Sequence, residues 1–387
     1  MKIKNICIVS GSRAEYGLLK PLIKKVKKEN QFNLQLVVTG MHLSKKYGYT
    51  INEIFEDNFN VFEKVDILSS ERSKTYIGES LSNGIKQFSD YFSKNKPDIL
   101  IVLGDRFEIF ACCIAAYFLN IPIGHINGGE TTEAAFDEGI RHSITKMSHF
   151  HFTSNKVYRN RVIQLGEDPK RVFNVGGLFV DAIKESKILT KKQLTAKTNI
   201  VFKKKNLLIT YHPETLSEKS PQKSFLELIK VLKKREDINL IFTLPNADPS
   251  NSKIFSLVQK FVKENPNRAI CFSSLGHQNY ISLLNYVDGV LGNSSSGITE
   301  APAFQIGTIN VGDRQKGRIR SQSIIDCEPD SLSIEQAINK LYSTNFKKKI
   351  KRSINPYGNG NASTQIVKIL KKISLTANIQ KTFYDIG

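Results

Sequence analysis

Short apolar, β-branched runs alternate along this chain with longer stretches of helical period. No other feature constrains the fold as much. In the first half the runs are "IKNICIVS", "LQLVVTG", "DILIVLGD", "IPIGHI" and "HFHFTS", and "AEYGLLKPLIKKVKKE" and "FEIFACCIAAYFL" carry helical periodicity between them. Several runs are apolar throughout, as strands covered on both faces are. This βαβ alternation predicts a doubly wound parallel sheet. The pattern breaks over residues 181–206, a Lys- and Thr-rich stretch read as a helix plus linker. A second series follows: "NLLITYHP", "INLIFTLP", "RAICFSS", "VDGVLGNSS" and "IGTINVGD". The expectation is α/β, with two Rossmann-like domains and a cleft between them. Residues 1–181 form the first, 206–370 the second, and 371–387 a C-terminal tail. A length of 387 residues suits two domains better than one core. "NASTQIVKILKKI" reads as a last amphipathic helix.

Composition narrows the function classes. No apolar run approaches the ~20 residues of a membrane helix. The N-terminus enters a β-type run directly, without the apolar region and cleavage site of a secretory signal. A cytoplasmic protein with no membrane partner is expected. The formal charge of +20 comes from scattered lysine clusters, at 24–28, 202–206 and 345–352. They carry few interleaved aromatics for base stacking, and no nucleic-acid motif accompanies them. They read as solvated faces, with no nucleic-acid partner. Five cysteines lie in mostly apolar contexts without C-x-x-C spacing, which suits reduced, buried thiols. His149 and His151 have strand spacing, not that of a helical metal pair. Neither a dinucleotide fingerprint nor a Walker loop is present, so neither a cofactor nor a metal is expected.

In open α/β sheets, ligands gather beyond the carboxyl ends of the strands. That rule selects "SGSRAEYG" with Arg13, "GDRFE" with Asp105 and Arg106, "TYHPET" with His212, "GNSSSGITEAP" and "GDRQKGR". It also selects "GGETTEAAFDEGIRH", which brings Glu130, Glu133, Asp137, Glu138 and Arg141 together directly after "IPIGHI". Such a stretch is either a solvated helix face or a site that moves protons. In "GNSSSGITEAP", Ser294, Ser295, Ser296 and Gly297 open a helix. Backbone N–H groups, hydroxyls and the helix dipole there suit a diphosphate, and Glu300 could accept from ribose hydroxyls. Plain N-capping by serine accounts for the pattern equally well. Arg13 could bind phosphate in bidentate fashion or lie solvated on the surface. A lone histidine such as His212 is more often a core or surface residue than a catalyst.

Together these strand-end motifs resemble one family, the hydrolysing UDP-N-acetylglucosamine 2-epimerases of bacterial sialic-acid synthesis. "GSRAEYGLLKPLI", "VTGMHLSKKYG", "VLGDRFEI", "IRHSITKMSHFHFTS", "RVIQLGE", "HPETLS", "GNSSSGITEAP", "INVGDRQKGR" and "FYDI" occur there in this order, over nearly the whole chain. The resemblance implies the GT-B fold and a UDP-sugar as the bound partner. It also implies a homodimer or homotetramer. The implied reaction takes UDP-N-acetylglucosamine and water to UDP and N-acetylmannosamine through 2-acetamidoglucal. Asp105 and Asp137 match family acidic positions, and Arg141 matches a family arginine. The resemblance gives Arg13, His212, Ser294, Ser295, Ser296, Gly297 and Glu300 to UDP, with Arg106 and Glu133 beside Asp105 at the sugar. The animal enzyme and the non-hydrolysing epimerases carry a catalytic glutamate two residues after the match to His125. Here that position is Asn127, and Glu130 is the candidate for its role, with Glu133 next. The nearest alternative is a sister hydrolysing epimerase acting on UDP-2,4-diacetamido-2,4,6-trideoxyglucose.

Overall fold

The computed structural model describes residues 3–69, 75–131, 137–212, 221–244, 252–273, 275–375 and 380–386. The chain divides into two compact units. One is Met1–Lys184 with Tyr357–Gly387; the other is Glu185–Pro356. Among the described residues no helix is long and apolar enough to cross a membrane.

The first unit holds β1 (Lys4–Ser10), β2 (Phe32–Thr39), β3 (Glu63–Val65), β4 (Ile99–Leu103), β5 (Ile123–Ile126), β6 (Phe150–Thr153) and β7 (Val172–Asn174). Among the described residues they form one parallel sheet in the order β3-β2-β1-β4-β5-β6-β7. Alternate residues of a strand face opposite sides of its sheet, and both sides are covered here. Ile6 and Ile8 join Leu19, Leu22 and Val26 of the helix Arg13–Lys28. Cys7 and Val9 join Phe88 and Phe92 of the helix Tyr76–Lys94, and Ile109 and Cys112 of the helix Phe107–Phe118. That is why β1 is apolar at every position from Ile6 to Val9.

The second unit holds β8 (Asn206–Thr210), β9 (Asn239–Thr243), β10 (Ala269–Phe272), β11 (Gly289–Gly292), β12 (Gly307–Val311) and β13 (Ile324–Cys327). Among the described residues these pair in parallel in the order β10-β9-β8-β11-β12-β13. The strand order therefore reverses at β1/β4 in one unit and at β8/β11 in the other. These reversals are the switch points where open α/β sheets take ligands.

The structure differs from the sequence expectation in three places. Strands β3, β7 and β13 are additional, and all lie at sheet edges. Residues 181–206 hold the end of one helix, Leu178–Glu185, and a complete second helix, Lys191–Thr198, opened by a Thr190–Gln193 capping box. The second domain was expected to run to 370, yet the chain rejoins the first unit at Tyr357. The reason is packing. The helix Ala362–Lys372 buries Ile366, Val367 and Leu370 beside Leu19 and Leu22, each contributing roughly 1.5–3 kcal/mol. Asn361 makes no side-chain cap bond there. The buried Asp181 carboxylate caps the helix from outside, accepting the N–H groups of Ala362 at 3.0 Å and Ser363 at 2.9 Å.

The end of the chain also returns to the first unit. Lys381 donates to the carbonyls of Lys146 and Ser148, both at 2.6 Å, and pairs with Glu167 at 2.7 Å. Burial pushes the Glu167 carboxyl up, but His151, Lys146 and Lys381 outweigh it and hold it down at about 2. His149 and His151 are both structural: His149 Nδ1 accepts the Ile123 N–H, and His151 pairs with Glu167.

Candidate active site

At the first switch point β4 runs into Gly104, whose φ of +80° turns the chain so that Asp105 and Arg106 follow at the strand end. His125 of β5 supports this turn. Its Nε2 lies 2.8 Å from the Gly104 carbonyl and its Nδ1 3.2 Å from Thr145 Oγ1. Burial lowers its proton affinity to about 3, so the ring is a neutral strut at ordinary pH.

The helix Asp137–Met147 supplies the facing groups. Asp137 and Glu138 in its first turn complement the helix dipole, as Lys146 does in its last. Residues four apart share a face, which stacks Asp137 with Arg141 and Glu138 with His142. Arg141 is only 4% exposed. Its guanidinium pairs with Asp105 through Nη2, and its Nη1 donates to Glu138 at 2.9 Å and to the Glu130 carbonyl at 2.8 Å. Glu138 also reaches His142 Nε2 at 3.1 Å. Burial raises the Asp137 carboxyl above its usual range and Asp105 adds to this, while Arg106 and Arg141 oppose it. Asp105, Arg106, Asp137 and Arg141 thus form one electrostatic group.

The stretch between β5 and this helix is partly described. Asn127 takes a left-handed φ of +65°, and its buried Oδ1 has no hydrogen-bond partner among the described residues. Glu130 Oε1 accepts from Ser154 Oγ at 2.9 Å, so its carboxyl is tied to the end of β6 and its carbonyl to Arg141. Glu133 lies outside the described residues. Arg13 opens its helix behind the Ser12 cap and pairs with Glu53 at 3.1 Å, both side chains about half exposed.

At the second switch point Asn293 is the hub. Its Oδ1 accepts the His212 N–H at 2.7 Å and its Nδ2 donates to the His212 carbonyl at 2.8 Å. Its own carbonyl accepts from Arg314 at 3.0 Å and Gln315 at 2.9 Å. Gly292 before it has φ +136°, and a Cβ there would overlap the Thr210 carbonyl, so only glycine lets β11 turn this close to β8. Burial, reinforced by Arg314, lowers the His212 imidazole to about 4. Ser294 caps the helix Ser295–Thr299 through Ser296 N. Five residues give that helix little dipole, so the N–H groups and hydroxyls carry any anion binding. Ser296 Oγ donates to Glu300 and accepts from Tyr280 at 2.6 Å. Burial pushes the Glu300 carboxyl up, and the Ser296 hydroxyl opposes this. Gly297 packs against Thr308, which donates to its carbonyl at 2.7 Å.

Sequence reasoning had not singled out Glu15, Glu108, Ser154, Tyr280 or Asn293. Ser154, Tyr280 and Asn293 act through partners distant in sequence, and Glu15 and Glu108 come together only in the fold. A polar residue inside a quoted strand-end motif was the one available signal, and it applies to Glu15, Glu108 and Asn293.

Residues 24–371 match the UDP-N-acetylglucosamine 2-epimerase family. The chain is 42% identical to the GDP/UDP-N,N'-diacetylbacillosamine 2-epimerase (hydrolyzing) of Campylobacter jejuni, covering all of both chains. It is 41% identical to the polysialic acid biosynthesis protein P7 of Escherichia coli, covering 99% of this chain and 98% of that protein. The crystal structure of UDP-GlcNAc 2-epimerase from Neisseria meningitidis bound to UDP-GlcNAc superimposes with a TM-score of 0.78 at 23% identity, over 95% of this chain and all of that one. The two parallel-sheet α/β units are those of the GT-B fold. With its length matched almost throughout and relatives above 40% identity, the chain belongs to the UDP-N-acetylglucosamine 2-epimerase family.

Proposed function

We propose that the chain is a hydrolysing 2-epimerase, converting UDP-N-acetylglucosamine and water to UDP and N-acetylmannosamine for sialic-acid synthesis. The observation that carries this reading is the pair Asp105 and Asp137, two carboxyls in unlike surroundings at one switch point. Asp105 is held by the Arg141 guanidinium, while burial raises the proton affinity of Asp137, the direction an acid–base role requires. No carbonyl acidifies the C2 proton of the sugar, so departure of UDP from C1 runs ahead of its removal. Loss of UDP and of that proton leaves 2-acetamidoglucal. Water then adds its oxygen at C1, and C2 takes a proton on the opposite face. A carboxyl with raised proton affinity is a stronger base when ionised and a usable acid when protonated, which suits Asp137. Arg141 holds Asp105 in place. Glu130 is the third candidate proton carrier, and Arg106 and Glu133 belong to the sugar-binding wall.

The nucleotide is assigned to the second unit. Ser294, Ser295, Ser296 and Gly297 receive the diphosphate, assisted by His212, and Glu300 takes the ribose; Arg13 is a further candidate phosphate ligand. Ser294→Ala and Glu300→Ala are each expected to weaken UDP binding about 5–10-fold, the loss of one or two hydrogen bonds. Titration calorimetry with UDP measures this. Unchanged affinity in both variants moves the nucleotide elsewhere.

A second substrate is favoured by one observation, the name of the Campylobacter jejuni relative. N,N'-diacetylbacillosamine is a 2,4-diacetamido-2,4,6-trideoxy sugar, so it differs at C4 and C6, away from the reacting carbons. NMR of the sugar released from each nucleotide sugar, UDP- and GDP-linked, decides between them. N-acetylmannosamine with UDP is the expected result. Release from the diacetamido substrate alone selects the second reading. Return of an intact nucleotide-linked epimer overturns both.

A further inference from the structure

Two carboxyls enter one buried space behind the first switch point, and among the described residues only Glu108 is ion-paired. Glu15, in the first turn of the helix Arg13–Lys28, is 6% exposed, and Glu108, in the first turn of the helix Phe107–Phe118, is fully buried. Two glycines make the room. A Cβ on Gly11 would lie 3.1 Å from Glu15 Oε2 and 3.4 Å from Glu108 Cβ, and one on Gly40 would press on Glu108 Cγ at 2.9 Å. Arg106 grips Glu108 as a fork, with Nη2 to Oε1 at 2.8 Å and Nε to the two oxygens at 3.2 and 3.1 Å. Glu15 Oε2 accepts only the Gly11 N–H, at 2.8 Å, and its buried Oε1 has no hydrogen-bond partner among the described residues. A second buried charge that must share this guanidinium is costly.

We propose that Glu15 is a positioning residue: carried as an uncharged carboxyl, it leaves Arg106 to Glu108 and keeps that guanidinium where its charge acts on Asp137. This rests on the reading of Asp137 as a proton carrier. Every group facing Glu15 bears on its charge. Glu108 comes from the Phe107–Phe118 helix, with Cys112 one turn further on. Asp105 and Arg106 come from the turn after β4, and the Gly11 N–H from the turn after β1. Past Gly40, the His42 ring is engaged by Ser10 and Thr50. Burial pushes the carboxyl up to about 8; Glu108 and Asp105 add to this, and the Gly11 N–H and Arg106 oppose it. When Glu15 ionises, it competes for Arg106, and Asp137 loses part of its opposing cation.

The test compares Glu15→Gln, which mimics the uncharged form, with Glu15→Ala and the parent protein. One readout needs no substrate. A carboxyl whose proton affinity rises on folding stabilises fully below its unfolded value, and that stability is lost as pH rises through the folded value. The parent melting temperature is therefore expected to carry a fall between pH 4.5 and about 8 that Glu15→Gln lacks. Glu15→Gln then melts above the parent at pH 8. Parallel curves mean an ionised Glu15 and overturn the proposal. The second readout is kcat and KM against pH. Glu15→Gln is expected to keep kcat at pH 7 and to shift the alkaline fall in kcat to higher pH, with KM unmoved. Glu15→Ala, equally unable to compete for Arg106, is expected to shift the alkaline limb in the same direction. If Glu15→Ala does not fold, the glutamine variant decides alone. A glutamine variant with the parent's alkaline limb, or with kcat lost at pH 7, overturns the positioning role. If the parent turns over no nucleotide sugar, the functional reading fails and takes the positioning role with it, while the melting comparison still decides the charge on Glu15.

Discussion

Asparagine in place of Asp137 or Asp105 is expected to cut kcat by about 10²–10⁴-fold, the usual worth of a general acid–base step, with KM little changed. A loss confined to kcat marks an interaction made mainly in the transition state. The amide is close in shape to the carboxylate, so the Arg141 and Arg106 surroundings persist while proton transfer is lost. In heavy water, the released sugar should carry deuterium at C2, because the glycal is reprotonated by groups that exchange with solvent. Parent-like kcat in both variants, together with a product lacking C2 deuterium, would refute the elimination mechanism.

The same assay addresses the asparagine at position 127. Glu130→Gln retains an oxygen for the Ser154 hydroxyl, so any loss of turnover reports proton transfer more than packing. If Glu130→Gln turns over normally while Glu133→Gln is inactive, the role belongs to Glu133. If Glu130→Gln releases free 2-acetamidoglucal, Glu130 serves the water-addition step.

Much of this arrangement was legible in the sequence because its signals are local. Strand β4 is apolar throughout, and β1 and β8 are apolar from Ile6 to Val9 and from Leu207 to Ile209, since both faces of each sheet are covered, and a run of that kind names itself. Asp105, Asp137 and His212 follow strands or open a helix, where the strand-end rule looks. Strands β3, β7 and β13 are three or four residues long and partly exposed, too short for a period to register. The helix Ala362–Lys372 was visible as amphipathic, but an apolar stripe does not say which sheet it covers. That choice depends on Asp181 and Leu19, more than 170 residues away in sequence. Glu15 stood inside a quoted motif, yet nothing local shows that Glu108 would occupy the same space and take the Arg106 guanidinium. The carboxylates could be found by position; their electrical relations needed the fold.

Arg141 makes the second large prediction, since one guanidinium ties Asp105, Glu138 and the Glu130 carbonyl together. Arg141→Met keeps the apolar stem and removes the charge, leaving two carboxylates facing each other. Removing one partner of a fully buried pair costs about 3–5 kcal/mol. Here the arginine side chain is 5% exposed, but Asp105 and Glu138 are 22% and 28% exposed and regain some hydration. A loss of roughly 2–4 kcal/mol is therefore expected, seen as a drop of about 5–15 °C in the melting of the first unit. Arg141→Lys restores one charge without the planar fork, so it should recover stability more than turnover. The functional part is separable by a double-mutant cycle. If Arg141 acts by holding Asp105, then Arg141→Met combined with Asp105→Asn loses no more kcat than the worse single variant. Losses that multiply would mean that Arg141 acts on the substrate independently of Asp105, and the positioning account would have to be abandoned.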